Sequence, residues 1–203
     1  DGDDVFNISA GTYTMTGGAG NDVSNLSGGS GTASGGDGDD VFNLSAGTYT
    51  IAGNAGNDIV NATGGAATIN TGPNNDTINF NRRATAGTSG SFDITDDDGA
   101  DVINIDTASS GQDIVINDHS LVIPGYQIAF SPGIDKLKIV DASALTHIVS
   151  GIAASELGST RLEIFATQFT TEKPLKVGSL SIDVSQGVEF KGALTVTNHA
   201  EVR

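Results

Sequence analysis

The apolar positions of the first eighty or so residues come in short, separated groups rather than in helical stripes. Val5-Phe6-Asn7-Ile8 has counterparts in Val41-Phe42-Asn43-Leu44 and Thr77-Ile78-Asn79-Phe80. Thr12-Tyr13-Thr14-Met15 has one in Thr48-Tyr49-Thr50-Ile51. β-Branched and aromatic residues that alternate with polar ones between Gly-rich turns predict strands. The runs are too short and Gly too dense for helix. Alternation puts Phe6 and Ile8, Ser24 and Leu26, Phe42 and Leu44, and Val60 and Ala62 on one face, with Met15, Ala33, Ile51 and Ile69 supplying the facing sheet. Tyr13 and Tyr49 are expected to fill the interior beside Phe6 and Phe42, with smaller layers at Ser24 and Gly31 between them.

This pattern is periodic. Asp4, Asp22, Asp40, Asp58 and Asp76 recur every 18 residues, and Asn7, Asn25, Asn43, Asn61 and Asn79 follow each by three. Gly11, Gly29, Gly47 and Gly65 keep the same period. Residues 4–14 (DVFNISAGTYT) return almost unchanged at 40–50 (DVFNLSAGTYT), an echo of two turns. A short period with two strands per repeat is the signature of a solenoid. The expected fold is all-β: a right-handed parallel β-roll of 18 residues per turn over residues 1–106, then a β-rich, sandwich-like cap over 107–203. From Asp76 to Asp101 the spacing stretches to 25 residues, so an insertion is expected near 81–94. Strands are expected at 101–105, 112–117, 121–123, 136–140, 161–166, 175–184 and 188–196, and a short helical turn within 142–157.

Each turn buries little apolar area, so another stabilising device is needed. The chain has no Cys, which removes disulfides. Its net charge of −16 is all in one half: residues 1–135 hold 18 acids against Arg82 and Arg83, whereas 136–203 hold 7 acids and 7 bases. Such a surface repels phosphates and argues against nucleic acid. No apolar run is long enough to span a membrane. The chain starts without Met, inside a repeat, and reads as a fragment or processed product.

Stacked turns lie about 4.8 Å apart. Two carboxylates at that separation repel by about 1 kcal/mol in water and about 3.5 kcal/mol at an effective dielectric of 20. A column of five opposes stacking unless a cation joins adjacent turns. Calcium, with oxygen distances of about 2.3–2.6 Å and a flexible shell, suits the gap better than magnesium. Zinc lacks its ligands, since His119, His147 and His199 all lie outside the repeats. The loops before each Asp are rich in Gly and in side-chain oxygen: Gly17-Gly18-Ala19-Gly20-Asn21-Asp22, Gly35-Gly36-Asp37-Gly38-Asp39-Asp40 and Gly53-Asn54-Ala55-Gly56-Asn57-Asp58.

These loops resemble the G-G-x-G-x-D-x-U-x nonapeptides of the repeats-in-toxin family. The likeness covers residues 1–80, where the loop at 71–76 lacks the paired Gly, and returns weakly at 96–105. It implies a parallel β-roll, several calcium ions between successive turns and export by a type I secretion system. The residues expected to hold calcium are Asp4, Gly20, Asn21, Asp22, Asp37, Gly38, Asp39, Asp40, Gly56, Asn57, Asp58, Asn75, Asp76, Asp98 and Asp101. Residues 128–139 are similar to the F-x-x-G-x-D-K-[IL] segment that follows such rolls. The family usually carries Asp on both edges. Here Ser9-Ala10-Gly11, Ser27-Gly28-Gly29, Ser45-Ala46-Gly47 and Thr63-Gly64-Gly65 have no carboxylate, so the second edge is expected to be a neutral tight turn.

Asn7, Asn25, Asn43, Asn61 and Asn75 sit in glycosylation sequons, but the repeat itself generates most of them, and a hydrogen-bonded amide ladder is the expectation. Arg82-Arg83 reads as a loop anchor. No H-E-x-x-H, G-x-S-x-G or phosphate-binding loop is present, so no enzyme activity is expected of this chain. The leading functional reading is a secreted or bacterial cell-surface structural or adhesive module that folds on calcium. Its roll ends are expected to stack end to end into a fibre or lattice. The alternative is the C-terminal calcium-binding module of a secreted protease, lipase or polysaccharide epimerase. A weaker third reading is a lectin-like module for a cell-surface glycan.

Overall fold

In a computed structural model of the chain, the described residues are 1–81, 90–95, 99–106, 114–117, 120–123, 126–130, 134, 136–140, 147–150, 155–156, 161–171, 175–190 and 193–203. The repeat region forms β1 (Val5–Ile8), β2 (Thr12–Ala19), β3 (Val23–Leu26), β4 (Ser30–Asp37), β5 (Val41–Leu44), β6 (Thr48–Ala55), β7 (Ile59–Ala62), β8 (Ala66–Asn70), β9 (Thr77–Asn81), β10 (Gly90–Thr95) and β11 (Val102–Asp106). Every pairing among them is parallel, and odd strands pair with odd, even with even. Val5 lies against Val23, Val23 against Val41 and Val41 against Ile59, so the 18-residue repeat is the register of the ladder. This is the parallel β-roll that the period predicts.

Alternation fixes what the two sheets enclose. Leu26, Ala33, Phe42, Leu44, Ile51, Val60, Ala62 and Ile69 are buried, with Met15 nearly so. Large and small residues alternate along the stack: in register lie Phe6, Ser24, Phe42 and Val60 on one sheet, and Tyr13, Gly31, Tyr49 and Ala67 on the other. Tyr49 is buried and its hydroxyl donates to the Gly28 carbonyl, 2.5 Å away. Tyr13, on the first turn, is 43% exposed. Where Gly31 stands between the two tyrosines, an added Cβ would lie 1.9 Å from the Tyr13 carbonyl oxygen. Phe80 and Phe92 meet edge to face, 4.8 Å between centroids, and close the core near the stretched turn.

The outward face of the odd strands carries the amide ladder. Asn25, Asn43, Asn61, Asn79 and Asn104 each donate through Nδ2 to the Oδ1 of the Asn one turn before, all at 2.9 Å. The extra residues of the stretched turn fall between Asn81 and Gly90, because β10 already pairs in register with β8 (Phe92 opposite Ala67) and β11 with β9.

The C-terminal strands are β12 (Ile114–Asn117), β13 (Ser120–Ile123), β14 (Tyr126–Phe130), β15 (Lys136–Val140), β16 (His147–Ser150), β17 (Ser155–Glu156), β18 (Arg161–Thr171), β19 (Leu175–Phe190) and β20 (Leu194–Val202). They attach by continuing the parallel register: β15 on β11, β18 on β15, β19 on β18 and β20 on β19. Antiparallel pairing occurs at β12–β13–β14. Leu137, Ile139, Leu162, Ile164, Leu180 and Ile182 extend the core. The Asn column gives way here to Lys138 and then Glu163. Glu163 pairs with Arg161 (2.9 Å) and Lys136 (3.6 Å), so charge enters the stack in paired form. Within 142–157, where a helical turn is expected, the described residues are strands β16 and β17. The remainder of that segment, and Arg82 and Arg83, lie outside the described residues.

Candidate metal centre

The acidic edge is built differently from a row of carboxylates facing solvent. Asp22, Asp40, Asp58, Asp76 and Asp101 are buried, none more than 3% exposed. Each turns its side chain back into the loop, and its Oδ1 accepts the main-chain N–H of the Asp one turn before: Asp4 to Asp22 (2.7 Å), Asp22 to Asp40 (2.7 Å), Asp40 to Asp58 (2.8 Å), Asp58 to Asp76 (2.7 Å) and Asp76 to Asp101 (2.9 Å). The ladder crosses the insertion without a break. One oxygen of each carboxylate is thus committed to the main chain, which satisfies a buried donor on every turn.

A second ladder runs outside it in the opposite sense. The side-chain oxygens of Asp3, Asn21, Asp39, Asn57 and Asn75 accept N–H groups of the following turn, from Asn21 (2.8 Å), Asp39 (2.9 Å), Asn57 (2.7 Å), Asn75 (3.2 Å) and Ala100 (2.9 Å). These residues are exposed. Asn and Asp serve equally here because only the oxygen is used.

The other oxygen of the inner column makes the site. Oδ2 of Asp22, of Asp40 and of Asp58 is buried and has no hydrogen-bond partner. These atoms point into space left by a glycine five residues earlier in each loop. A Cβ added at Gly17 would lie 1.8 Å from Asp22 Oδ2 and 2.8 Å from the Gly35 carbonyl oxygen; one at Gly53 would lie 2.0 Å from Asp58 Oδ2 and 2.3 Å from the Thr71 carbonyl oxygen. At Gly35 the nearest atom is again a carboxylate oxygen, Asp40 Oδ2 at 1.8 Å. A carboxylate oxygen and a carbonyl oxygen of the next turn therefore converge on one cradle at Gly17 and at Gly53. Two acceptor oxygens on one buried space leave room for a hydrogen-bond donor or a cation between them.

The electrostatics agree. Burial pushes the Asp58 carboxyl up to about 7, with the charges of Asp76, Asp40 and Asp39 adding to the rise and the bond from Asp40 N–H opposing it. Asp40 is raised as well, chiefly by burial, against the bond from Asp22 N–H. Among the described residues no three His, Cys, Asp or Glu side chains converge on a common point. A cation here would meet one carboxylate oxygen and, at Gly17 and Gly53, a main-chain carbonyl; these are hard oxygens, the donor type that calcium prefers.

The residues expected as ligands therefore separate into groups. Asp22, Asp40 and Asp58 are brought to the cradles. Asn21, Asp39, Asn57 and Asn75 belong to the outer ladder. Asp37 is exposed and takes part through its carbonyl, which accepts from Gly20 N–H (2.9 Å); Gly38 N–H donates likewise to the Ala55 carbonyl (2.7 Å). Gly20, Gly38 and Gly56 hold positive φ, between 127° and 135°, and give the loop its shape. Asp4 is exposed and contributes its N–H. Asp98 lies outside the described residues. Sequence reasoning took the paired Gly as turn formers and missed that Gly17, Gly35 and Gly53 make room for the carboxylate. The signal was present, since they keep the 18-residue period five residues before each Asp.

No protein-family model, curated protein or solved structure matches this chain.

Proposed function

We propose that this chain is a calcium-binding roll of the repeats-in-toxin type, exported unfolded and folded by calcium outside the cell, where it serves as a structural or adhesive module. The observation that carries this reading is the row of buried carboxylate oxygens with no hydrogen-bond partner at Asp22, Asp40 and Asp58. Bound calcium supplies the positive charge that lets these carboxylates stay ionised inside the stack. The protein's own part is to hold Oδ1 on the main chain, aim Oδ2 into the cradle and keep it there with glycine on the opposite wall. Where calcium is scarce, the buried charge opposes folding; where it is plentiful, binding to the folded state alone shifts the balance.

Circular dichroism in EDTA and in millimolar calcium tests the folding step. At neutral pH the β signal is expected with calcium and lost on chelation; a signal indifferent to EDTA contradicts the reading. The same cuvette at lower pH gives a second arm. Asp58 and Asp40 have folded-state values above their usual carboxylate range, so folding takes up protons. Their contribution to the metal-free fold is fully present below the unfolded value of 3.8 and is lost as pH rises through the raised folded-state values, about 7 for Asp58. Metal-free protein is therefore expected to gain β structure as pH falls from 7 towards 4.

A further inference from the structure

We propose that the cation row ends at Thr71, whose side chain fills the cradle beside Asp76 that Gly17, Gly35 and Gly53 leave open beside Asp22, Asp40 and Asp58. This rests on the calcium reading above and assigns its limit. The register places Thr71 in the same column as the three glycines: Ser34 lies opposite Thr16, Ala52 opposite Ser34 and Asn70 opposite Ala52, each just before the residue in question. Each of the four stands five residues before the Asp of its loop.

At the glycines, a Cβ would fall 1.8, 1.8 and 2.0 Å from the carboxylate Oδ2. Real Cβ atoms do not approach an oxygen that closely, so a side chain in this column competes with the carboxylate for the space of the cradle. Thr71 has a Cβ, a methyl and a hydroxyl there, and it is wholly buried. Asp76 nevertheless stays buried and still accepts the Asp58 N–H at 2.7 Å. The two tasks of the column come apart on this turn: the ladder continues through Asp76 and Asp101, while the space for an ion closes. Thr71 also keeps a part in the last open cradle through its main chain, because its carbonyl oxygen lines the space beside Asp58.

Calcium stoichiometry of the full chain, by isothermal titration with calcium chloride or by equilibrium dialysis, tests this. Thr71→Gly is expected to bind one calcium more per chain than wild type. Thr71→Ala and Thr71→Ser keep the Cβ and are expected to bind the wild-type number. Gly35→Ala, whose new Cβ has atoms of the Asp40 side chain as its three nearest neighbours, is expected to bind one fewer. It keeps the test usable if Thr71→Gly folds poorly. The proposal is overturned if Thr71→Gly matches wild type, if Thr71→Ala gains a site, or if Gly35→Ala loses none. Absence of calcium binding by the wild type overturns the functional reading itself.

Discussion

Asp40→Asn and Asp40→Ala are expected to part company, because Asp40 does two jobs with two oxygens. Asn keeps an acceptor for the Asp22 N–H, which now bonds Asp40 Oδ1 at 2.7 Å, and removes the buried charge. In EDTA at pH 7, where wild type loses its β signal, Asn is expected to retain at least as much of it, since a desolvated carboxylate has been replaced by a neutral amide. In calcium it is expected to lose the stabilisation of one site, about 2.7 kcal/mol when calcium stands at a hundred times its dissociation constant. Ala loses the site as well and leaves the Asp22 N–H buried without its acceptor, a further cost of about 1–3 kcal/mol. Urea titrations of the three proteins in calcium, and their circular dichroism in EDTA, separate these terms. Equal loss for Asn and Ala in calcium would mean that the carboxylate acts only through its charge. A large loss for Asn in EDTA would mean that the charge is not a burden on the metal-free roll.

Gly36→Ala is expected to be strongly destabilising. Gly36 holds φ at +130°, which side-chain-bearing residues rarely adopt and which costs about 1–3 kcal/mol. An added Cβ would also lie 2.0 Å from the Gly18 carbonyl oxygen, a main-chain atom fixed by the parallel pairing of β2 and β4. Neither the strand nor its neighbour can retreat without breaking the ladder on both sides. The combined cost should exceed about 3 kcal/mol, a large share of the 5–15 kcal/mol typical of a domain. The expected readout is a substantially lower melting temperature in saturating calcium. A shift of only a degree or two would show that the loops have more slack than the stacked main chain suggests. Asn54 occupies the same column one turn later at φ 80°, with Nδ2 donating to Ser34 Oγ at 2.9 Å, so this column accepts a side chain only with changed φ and a bond to hold it.

The legible part of the fold was whatever the stack repeats. When each residue lies on its own counterpart 18 positions away, period, strand positions, inward face and neutral edge all follow from one aligned column after another. Phe42, Leu44 and Ile51 were placed in the core this way, and the Asn ladder likewise. Side-chain direction was not legible. The spacing says that Asp22 and Asp40 are neighbours but not that Asp40 turns inward onto the Asp22 N–H, because a column of Asp is equally periodic in either rotamer. The outer ladder was hidden for a related reason: Asp3, Asn21 and Asp39 differ in charge but offer the same oxygen. Beyond Asp106 the period disappears. Lys136 lies on Val102, Arg161 on Lys136, Ser179 on Arg161 and His199 on Ser179, at unequal separations, so the continuing parallel register left no regular trace in the sequence.

Crystals of the full chain grown with calcium test the central claim most directly, through the anomalous signal of the ion. The account predicts peaks beside Oδ2 of Asp22, Asp40 and Asp58, successive peaks about one strand spacing, ~4.8 Å, apart, and none beside Asp76. A folded roll with no peak at those three oxygens, and each of them instead hydrogen-bonded to a carbonyl of the next turn, would contradict it.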